Sequence, residues 1–465
     1  MKNSPENRRE FLKKTAGLAV AGLAAPYIFT TVAHAADAPE KMNIGAIGVG
    51  GRGTDIGQQA ARLGNMVACA DVHLGNADNF AGIMEKDFQT KCKVYQDYRK
   101  LLDDESIKAV TIGTPDHWHV KAAIDAMKAG KHVYCEKPLT LTLEEGNLIC
   151  EAVKKYGKTF QVGTQQRSEY NLMFLKAVAI ARSGRLGDKL HATSSVDVAG
   201  SRSPDKNRPN GPFATEEPPK ELDWNYWLGQ APTVDFCPER IGWNFRWWFE
   251  YSGGQVTDWG VHHTDIAFWA LAGKDGQVVG ANPVKSEFSM VPREKVLGYL
   301  LGKIPAKEMP QAYNVAHSFD VDLTLSTGNV IKLISGPNEL LIQGEKGKIR
   351  VNRGRLAGKP VEEVDADPKA KAEIEKLMAE IYGDSLETAQ RGHMSNFFDC
   401  IRTGKSPVAN VFDHVRAVNA CHFANIALLV DRKIQWDAAG KKFLGDDEAN
   451  VLRSRKQRAE YKIEV

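Results

Sequence analysis

The chain lacks a surplus of either charge, a cysteine framework and, beyond its first 36 residues, any long apolar run. Its 465 residues set 61 Lys and Arg against 58 Asp and Glu, a formal +3. No basic block is interleaved with aromatics, which excludes a nucleic-acid groove and leaves a small molecule as the expected partner. The seven cysteines, Cys69, Cys92, Cys135, Cys150, Cys237, Cys400 and Cys421, are odd in number, widely spaced and without a CxxC pair. That pattern excludes a disulfide scaffold. No segment after the N-terminal one has the uninterrupted apolar length of a bilayer span. A chain this long exceeds what one hydrophobic core supports, so two or more domains are expected.

Residues 1–36 stand apart. Asn7-Arg8-Arg9-Glu10-Phe11-Leu12-Lys13 precedes an Ala- and Gly-rich apolar stretch, and Ala33-His34-Ala35 offers small residues for cleavage. The pattern resembles a twin-arginine signal, which implies delivery by the twin-arginine export machinery. The expectation is a periplasmic or otherwise exported protein, soluble after cleavage. Folding in a reducing compartment before transport would account for the unpaired cysteines.

The first domain, residues 41–165, reads as alternating strands and helices. A short apolar strand from Asn43 runs into Gly48-Val49-Gly50-Gly51-Arg52-Gly53, then a helical pattern over 54–62, then a strand from Met66 to Ala70 that ends in Asp71. In this G-x-G-x-x-G order Gly48 makes a tight turn, Gly50 lets backbone approach a pyrophosphate, and Gly53 packs helix on strand. Gly51 and Arg52 complete the turn. Asp71 falls 23 residues after Gly48, where a carboxylate accepts the hydroxyls of an adenosine ribose and repels a 2'-phosphate. NAD is expected over NADP. Further strands at 107–112 and 132–135 end in Thr114-Pro115-Asp116-His117-Trp118-His119 and in Glu136-Lys137-Pro138. Ligands of parallel sheets meet the C-terminal ends of strands, so Thr114, Pro115, His117, His119, Glu136 and Lys137 become cofactor-side candidates.

The stretch Tyr251 to Ala267 concentrates glycines, carboxylates and two adjacent histidines. A helix over 258–266 would set Asp258, His262 and Asp265 on one face, with a carboxylate beside an imidazole as general base and orienting partner. His117 and His119, completed by Asp258, His262 and His263, raise the question of a metal. No metal-site spacing links them, and none is expected.

Together, Gly48 to Gly53, Thr114 to His119, Glu136-Lys137-Pro138 and Asp258-Trp259-Gly260-Val261-His262 resemble the Gfo/Idh/MocA oxidoreductases, named for glucose-fructose oxidoreductase and inositol dehydrogenase. The resemblance implies an NAD-binding Rossmann domain followed, over 166–450, by an α/β domain with an open, mostly antiparallel sheet. In the family that sheet often forms a dimer or tetramer interface. The resemblance also implies that Lys137 binds and polarises the reacting hydroxyl, with Asp258 and His262 as the later catalytic pair. His263 lies outside the core pattern and is a candidate substrate contact or structural neighbour.

Between the domains, Gln165 and Arg167 are expected to face the nicotinamide. The Pro-, Gly- and aromatic-rich stretch 200–252 and its edge hold six of the nine tryptophans: Trp224, Trp227, Trp243, Trp247, Trp248 and Trp259. Aromatic faces bury well against sugar C–H faces, with Arg246 placed to read hydroxyls, so Trp243 and Trp247 are candidate saccharide contacts. Residues 344–348 read as a sharp sheet turn, 368–381 as a surface helix or crossover, and 388–402 and 413–431 as long helices. Residues 451–465 form a C-terminal tail whose basic run, Arg453 to Arg458, reads as a solvated end. The functional expectation is oxidation of a secondary alcohol of a sugar or glycoside with tightly held NAD. The alternatives are redox-neutral glycoside cleavage through a 3-keto sugar and a non-catalytic sugar-binding protein.

Overall fold

Short apolar runs bounded by glycine become the strands of a six-stranded, wholly parallel sheet: β1 (Asn43–Ile47), β2 (Asn65–Ala70), β3 (Lys93–Tyr95), β4 (Ala109–Ile112), β5 (His132–Cys135) and β6 (Phe160–Val162). Their order, β3-β2-β1-β4-β5-β6, reverses direction at β1/β4 and opens a crevice at the carboxyl ends of those strands. The computed structural model describes residues 41–197, 210–288 and 291–465, and residues 41–465 form one compact unit. The twin-arginine segment, 1–36, lies outside the described residues. No helix among the described residues is long and apolar enough to cross a membrane.

The principal helices of this layer are α1 (Gly51–Ala61), α2 (Leu74–Phe88), α3 (Asp116–Lys128) and α4 (Leu143–Tyr156). Helix α1 begins at Gly51, three residues before the expected start, so Gly51-Arg52-Gly53 is its first turn and not a preceding loop. Thr142 caps α4 by accepting from Glu145 N at 3.3 Å, and Gly157, at φ 61°, stops it.

The second layer starts with α5 (Met173–Arg182) and contains a nine-stranded sheet. Its strands are β7 (Leu190–Val196), β8 (Val278–Phe288), β9 (Ala316–Leu325), β10 (Val330–Ser335), β11 (Glu339–Gly344), β12 (Gly347–Val351), β13 (Leu356–Ala357), β14 (Ile434–Asp437) and β15 (Lys442–Phe443). The order is β13-β12-β11-β7-β10-β9-β8-β14-β15, antiparallel at each pair but β7/β10. Glu345-Lys346 makes the two-residue turn between β11 and β12 that the glycine pattern announced. One sheet face is covered by α6 (Gly260–Leu271) and α9 (Val411–Val430), whose side chains join the strand residues in one core. Between them in sequence lie α7 (Pro368–Tyr382) and α8 (His393–Thr403). The helix expected over 388–402 is in fact broken, because Gly392 takes φ 114° between a short helix, Leu386–Gln390, and α8.

The nucleotide-side core is completed from far along the chain. Met394, Phe397 and Phe398 of α8 pack with β1 and α1, while Val411, Val415 and Ile463 join the opposite face of the sheet. The chain beyond the basic run 453–458 returns to the protein. Tyr461 meets the rings of Trp118 and Tyr226 at 5.7 and 5.8 Å, and Ile463 is buried. Apolar side chains at 461 and 463 offset the exposure of the neighbouring charges.

Candidate active site

One cavity of about 560 Å³ runs along the crevice from the glycine turn to helix α6, within the range of small-molecule and cofactor sites. At its nucleotide end Gly48 takes φ 72°, and a Cβ there would lie 2.7 Å from the Thr114 backbone. At Gly53 a Cβ would lie 1.8 Å from Gly48 O, so α1 can approach β1 only through glycine. Gly51 has nothing within 4 Å of such an atom, and Gly50 only the Asn76 amide at 3.7 Å. Backbone at Gly50 and Gly51 thus lies open to the cavity at a helix N-terminus, a cradle that fits a pyrophosphate. Asp71 accepts from Val49 N and His73 N, both at 2.9 Å. Burial pushes its pKa up against those donors.

Deeper in, Glu136 at the end of β5 accepts from Arg52 Nε at 3.0 Å and Gln165 Nε2 at 2.8 Å. Thr114 and Pro115 line the wall after β4. His119, on α3, bonds the carbonyls of Pro138 and Thr114 at 2.7 and 2.9 Å and so ties the ends of β5 and β4 together.

The centre of the site is Asp258. Lys137 Nζ donates to its Oδ1 at 2.6 Å and to its backbone oxygen at 2.9 Å, and Arg246 Nε lies 3.2 Å from Oδ2. Burial alone would raise this carboxyl, but the two cations overcome it and hold the pKa at about 2. His262, on the first turns of α6, is buried with Nδ1 lacking a partner among the described residues. Burial pushes its pKa well below the ordinary imidazole value, helped by Lys137, Arg353, His263 and Arg52. It is a neutral base beside a lysine ammonium.

The expected pairing of Asp258 with His262 is corrected by these contacts. Asp258 precedes α6, which starts at Gly260, so the two do not share a helical face; the carboxylate turns to Lys137 and Arg246 instead. Asp265 does lie on α6, but it faces away from the cavity to meet Arg167 Nε and Nη2 at 2.7 and 2.9 Å.

Four further expected contacts do not line the cavity. Arg167 is buried in that ion pair and over the Trp269 ring at 4.7 Å. His117 packs between Trp227 and Tyr251 and bonds Trp227 O at 3.0 Å. His263 is directed by the 100° step from its neighbour to Asn338 Oδ1, 2.6 Å, and Gln166, 3.4 Å. Trp247 is buried in an aromatic core with Trp227, Trp248 and Phe249. Gly53 also lies off the cavity, in its packing role. Of the tryptophans, Trp118, Trp227, Trp243 and Trp259 do line it, Trp243 being 41% exposed and stacked under Arg246 at 4.1 Å.

Sequence reasoning missed Asp116, Tyr170 and Arg353, which also line the cavity. Asp116 accepts from Ser252 Oγ at 2.6 Å, and burial pushes its pKa up to about 7, with Arg246 opposing. It sat inside a motif already singled out, where its carboxylate was the detectable signal. Arg353 lies in an Asn-Arg-Gly-Arg turn with no local signature.

Comparison with known proteins agrees with this architecture. Residues 42–164 match the model of the Gfo/Idh/MocA oxidoreductase family, NAD-binding Rossmann fold, and residues 204–293 match that of its C-terminal alpha/beta domain. Over 189 residues the chain is 31% identical to an alpha-N-acetylgalactosaminidase of Shewanella oneidensis, covering 39% of this chain and 38% of that one. Over 211 residues it is 30% identical to a glycosyl hydrolase family 109 protein of Shewanella sp. strain ANA-3, covering 41% and 45%. The matched stretch thus spans less than half the length of these relatives. In fold, the chain is similar to myo-inositol 2-dehydrogenase from Lactobacillus plantarum, with TM-score 0.54, 16% identity and coverage of 86% and 100%. It is similar also to the WlbA dehydrogenase of Bordetella pertussis, solved with NADH and UDP-GlcNAcA, with TM-score 0.55, 16% identity and coverage of 86% and 98%.

Proposed function

We propose, for a chain whose two matched domains belong to the Gfo/Idh/MocA oxidoreductase family, that it oxidises a secondary hydroxyl of a sugar or glycoside with NAD held in the crevice. The observation that carries this reading is the convergence of Lys137, from the nucleotide layer, and His262, from the second layer, on one cavity with the open backbone of Gly50 and Gly51. NAD, when bound, would take the hydride from the carbinol carbon. The amides at the start of α1 and the carboxylate of Asp71 would hold its pyrophosphate and ribose. That carboxylate also disfavours a 2'-phosphate, and hence NADP.

His262 takes the hydroxyl proton, since burial keeps its imidazole neutral. Lys137 donates to the same oxygen as negative charge develops there. Asp258 fixes the lysine and compensates its charge, and Arg246 holds the other oxygen of that carboxylate. Trp243 and Trp259 supply aromatic surface for the sugar, and Glu136 with Gln165 supports the floor of the site.

The test is His262→Ala with NAD and a panel of sugars and glycosides. Absorbance at 340 nm is expected to develop roughly 10²- to 10⁴-fold more slowly than in the parent, and an unchanged rate would refute the assignment. A second reading is favoured by the relatives named as glycosidases. In it the transient ketone acidifies the neighbouring C–H, the glycosidic bond is lost by elimination of the aglycone, water adds to the resulting unsaturated ketone, and the hydride taken earlier is returned to the carbonyl carbon. Released aglycone without net absorbance at 340 nm would select that outcome. Export of the folded protein through the twin-arginine route, with the cofactor carried bound, and a homodimer or homotetramer built on the nine-stranded sheet belong to the same proposal.

A further inference from the structure

Four cationic side chains line the cavity: Arg52, Lys137, Arg246 and Arg353. Three of them already engage carboxylates of the chain. Arg52 is on Glu136 at 3.0 Å, Lys137 on Asp258 at 2.6 Å and Arg246 on Asp258 at 3.2 Å. Arg353 differs. It has no hydrogen-bond or ion-pair partner among the described residues, and its Nε is shut off from solvent without one. Glu169 and Glu136 attract it from a distance without pairing.

The geometry around Arg353 explains what that guanidinium is free to do. Its turn, closed by Asn352 N donating to Arg355 O at 2.9 Å, projects from the end of β12. The guanidinium lies over the rings of Trp259 at 4.5 Å and Tyr170 at 5.2 Å. A cation–π contact uses none of the group's N–H donors, so they stay available. A half-buried cation with unengaged donors is unfavourable unless a ligand completes it. The planar fork matches a carboxylate or sulfate bidentately, which no single hydroxyl can do. The Trp259 ring beneath Arg353 lies 5.3 Å from the His262 ring, which puts the guanidinium at the reacting end of the cavity.

We propose that the sugar taken by this site carries an anionic substituent, a carboxylate or a sulfate ester, and that Arg353, held over Trp259 and Tyr170, is the group that reads it. The proposal rests on the sugar oxidoreductase reading and narrows its substrate class to acidic sugars.

The test uses the NADH-loaded protein and ligand pairs that differ only in charge. Titration calorimetry would compare methyl glucuronide with methyl glucoside, in both anomers, and galactose 6-sulfate with galactose. Binding of one acidic member about tenfold or more tighter than its neutral partner is expected, the scale of one charge-assisted hydrogen bond. Which pair shows the preference distinguishes carboxylate from sulfate. In R353Q the preference should collapse towards one, and R353K, which keeps charge without the fork, should retain part of it. NADH affinity, measured in the same variants, reports that the fold and cofactor cradle survive. Equal binding of acidic and neutral members by the parent protein would overturn the charge preference alone. A loss of NADH affinity in R353Q with sugar preference intact would overturn it too, by assigning Arg353 to the cofactor. Failure of the parent protein to bind NADH would overturn the oxidoreductase reading beneath it.

Discussion

Replacing Arg167 tests whether the arginine just after β6 is a substrate contact, as its position in sequence implies, or a strut between the two layers. Its Nε and Nη2 meet Asp265 of α6 at 2.7 and 2.9 Å, its Nη1 donates to Val408 O at 3.1 Å, and its face covers Trp269. Both charged side chains are at most 4% exposed. Arg167→Met would leave the Asp265 carboxylate buried and unpaired, which costs about 3–5 kcal/mol. With a urea m-value of about 3 kcal/mol/M, the unfolding midpoint should fall by roughly 1–1.7 M. The double variant Arg167→Met with Asp265→Leu should be more stable than the single one, because no buried uncompensated charge remains: Asp413, the other partner of Arg167, is 40% exposed and keeps Arg416 at 3.8 Å. Tryptophan fluorescence during urea titration reads both. A single variant with an unmoved midpoint and lost sugar affinity would refute the strut and restore the contact.

Gly53→Ala should abolish NADH binding and lower the melting temperature, since its Cβ would meet Gly48 O at 1.8 Å. Gly51→Ala should fold normally, with nothing within 4 Å; NADH fluorescence and a melting curve check the pair, and equal behaviour would contradict the packing argument. Stability should also fall as pH drops from about 6.5 towards 4. Burial pushes His117, His414 and His422 down to about 3 and His263 and His393 down to about 4. Their contribution is therefore full above the unfolded value of about 6.5, and each loses about 1.4 kcal/mol per pH unit below it. Asp116 and Glu145, raised to about 7 by burial, act oppositely: their contribution is full below about 4 and declines as pH rises through 7. The histidines outnumber them, so the urea midpoint should be lower at pH 5 than at pH 7, and the reverse order would refute the balance.

What could be read from the sequence was what is local. The turn of Gly48 to Gly53, the strand-end placement of Asp71, Glu136 and Lys137, and the parallel first layer follow from alternating apolar runs and glycine spacing, because a strand and its following turn are fixed within about ten residues, whereas the second layer was implied by the family resemblance. The roles within the site were not local. Asp258 is four residues from His262, a spacing that invites a pair, yet the carboxylate engages a lysine 121 residues away, because helix α6 begins only at Gly260. Arg167 and Asp265 are separated by 98 residues, and nothing near either one announces the other. His117 and Trp247 carry the residue types of a binding site but serve aromatic cores. Arg353 has no motif at all, and only the sheet brings it over Trp259. The charge pattern makes Asp258 the hub: one carboxylate is shared by Lys137 and Arg246, which leaves a net positive charge, and the base His262 has no acidic partner among the described residues. Such a base stays neutral through burial and surrounding positive charge, and that same positive field favours the oxygen anion that forms when His262 removes its proton.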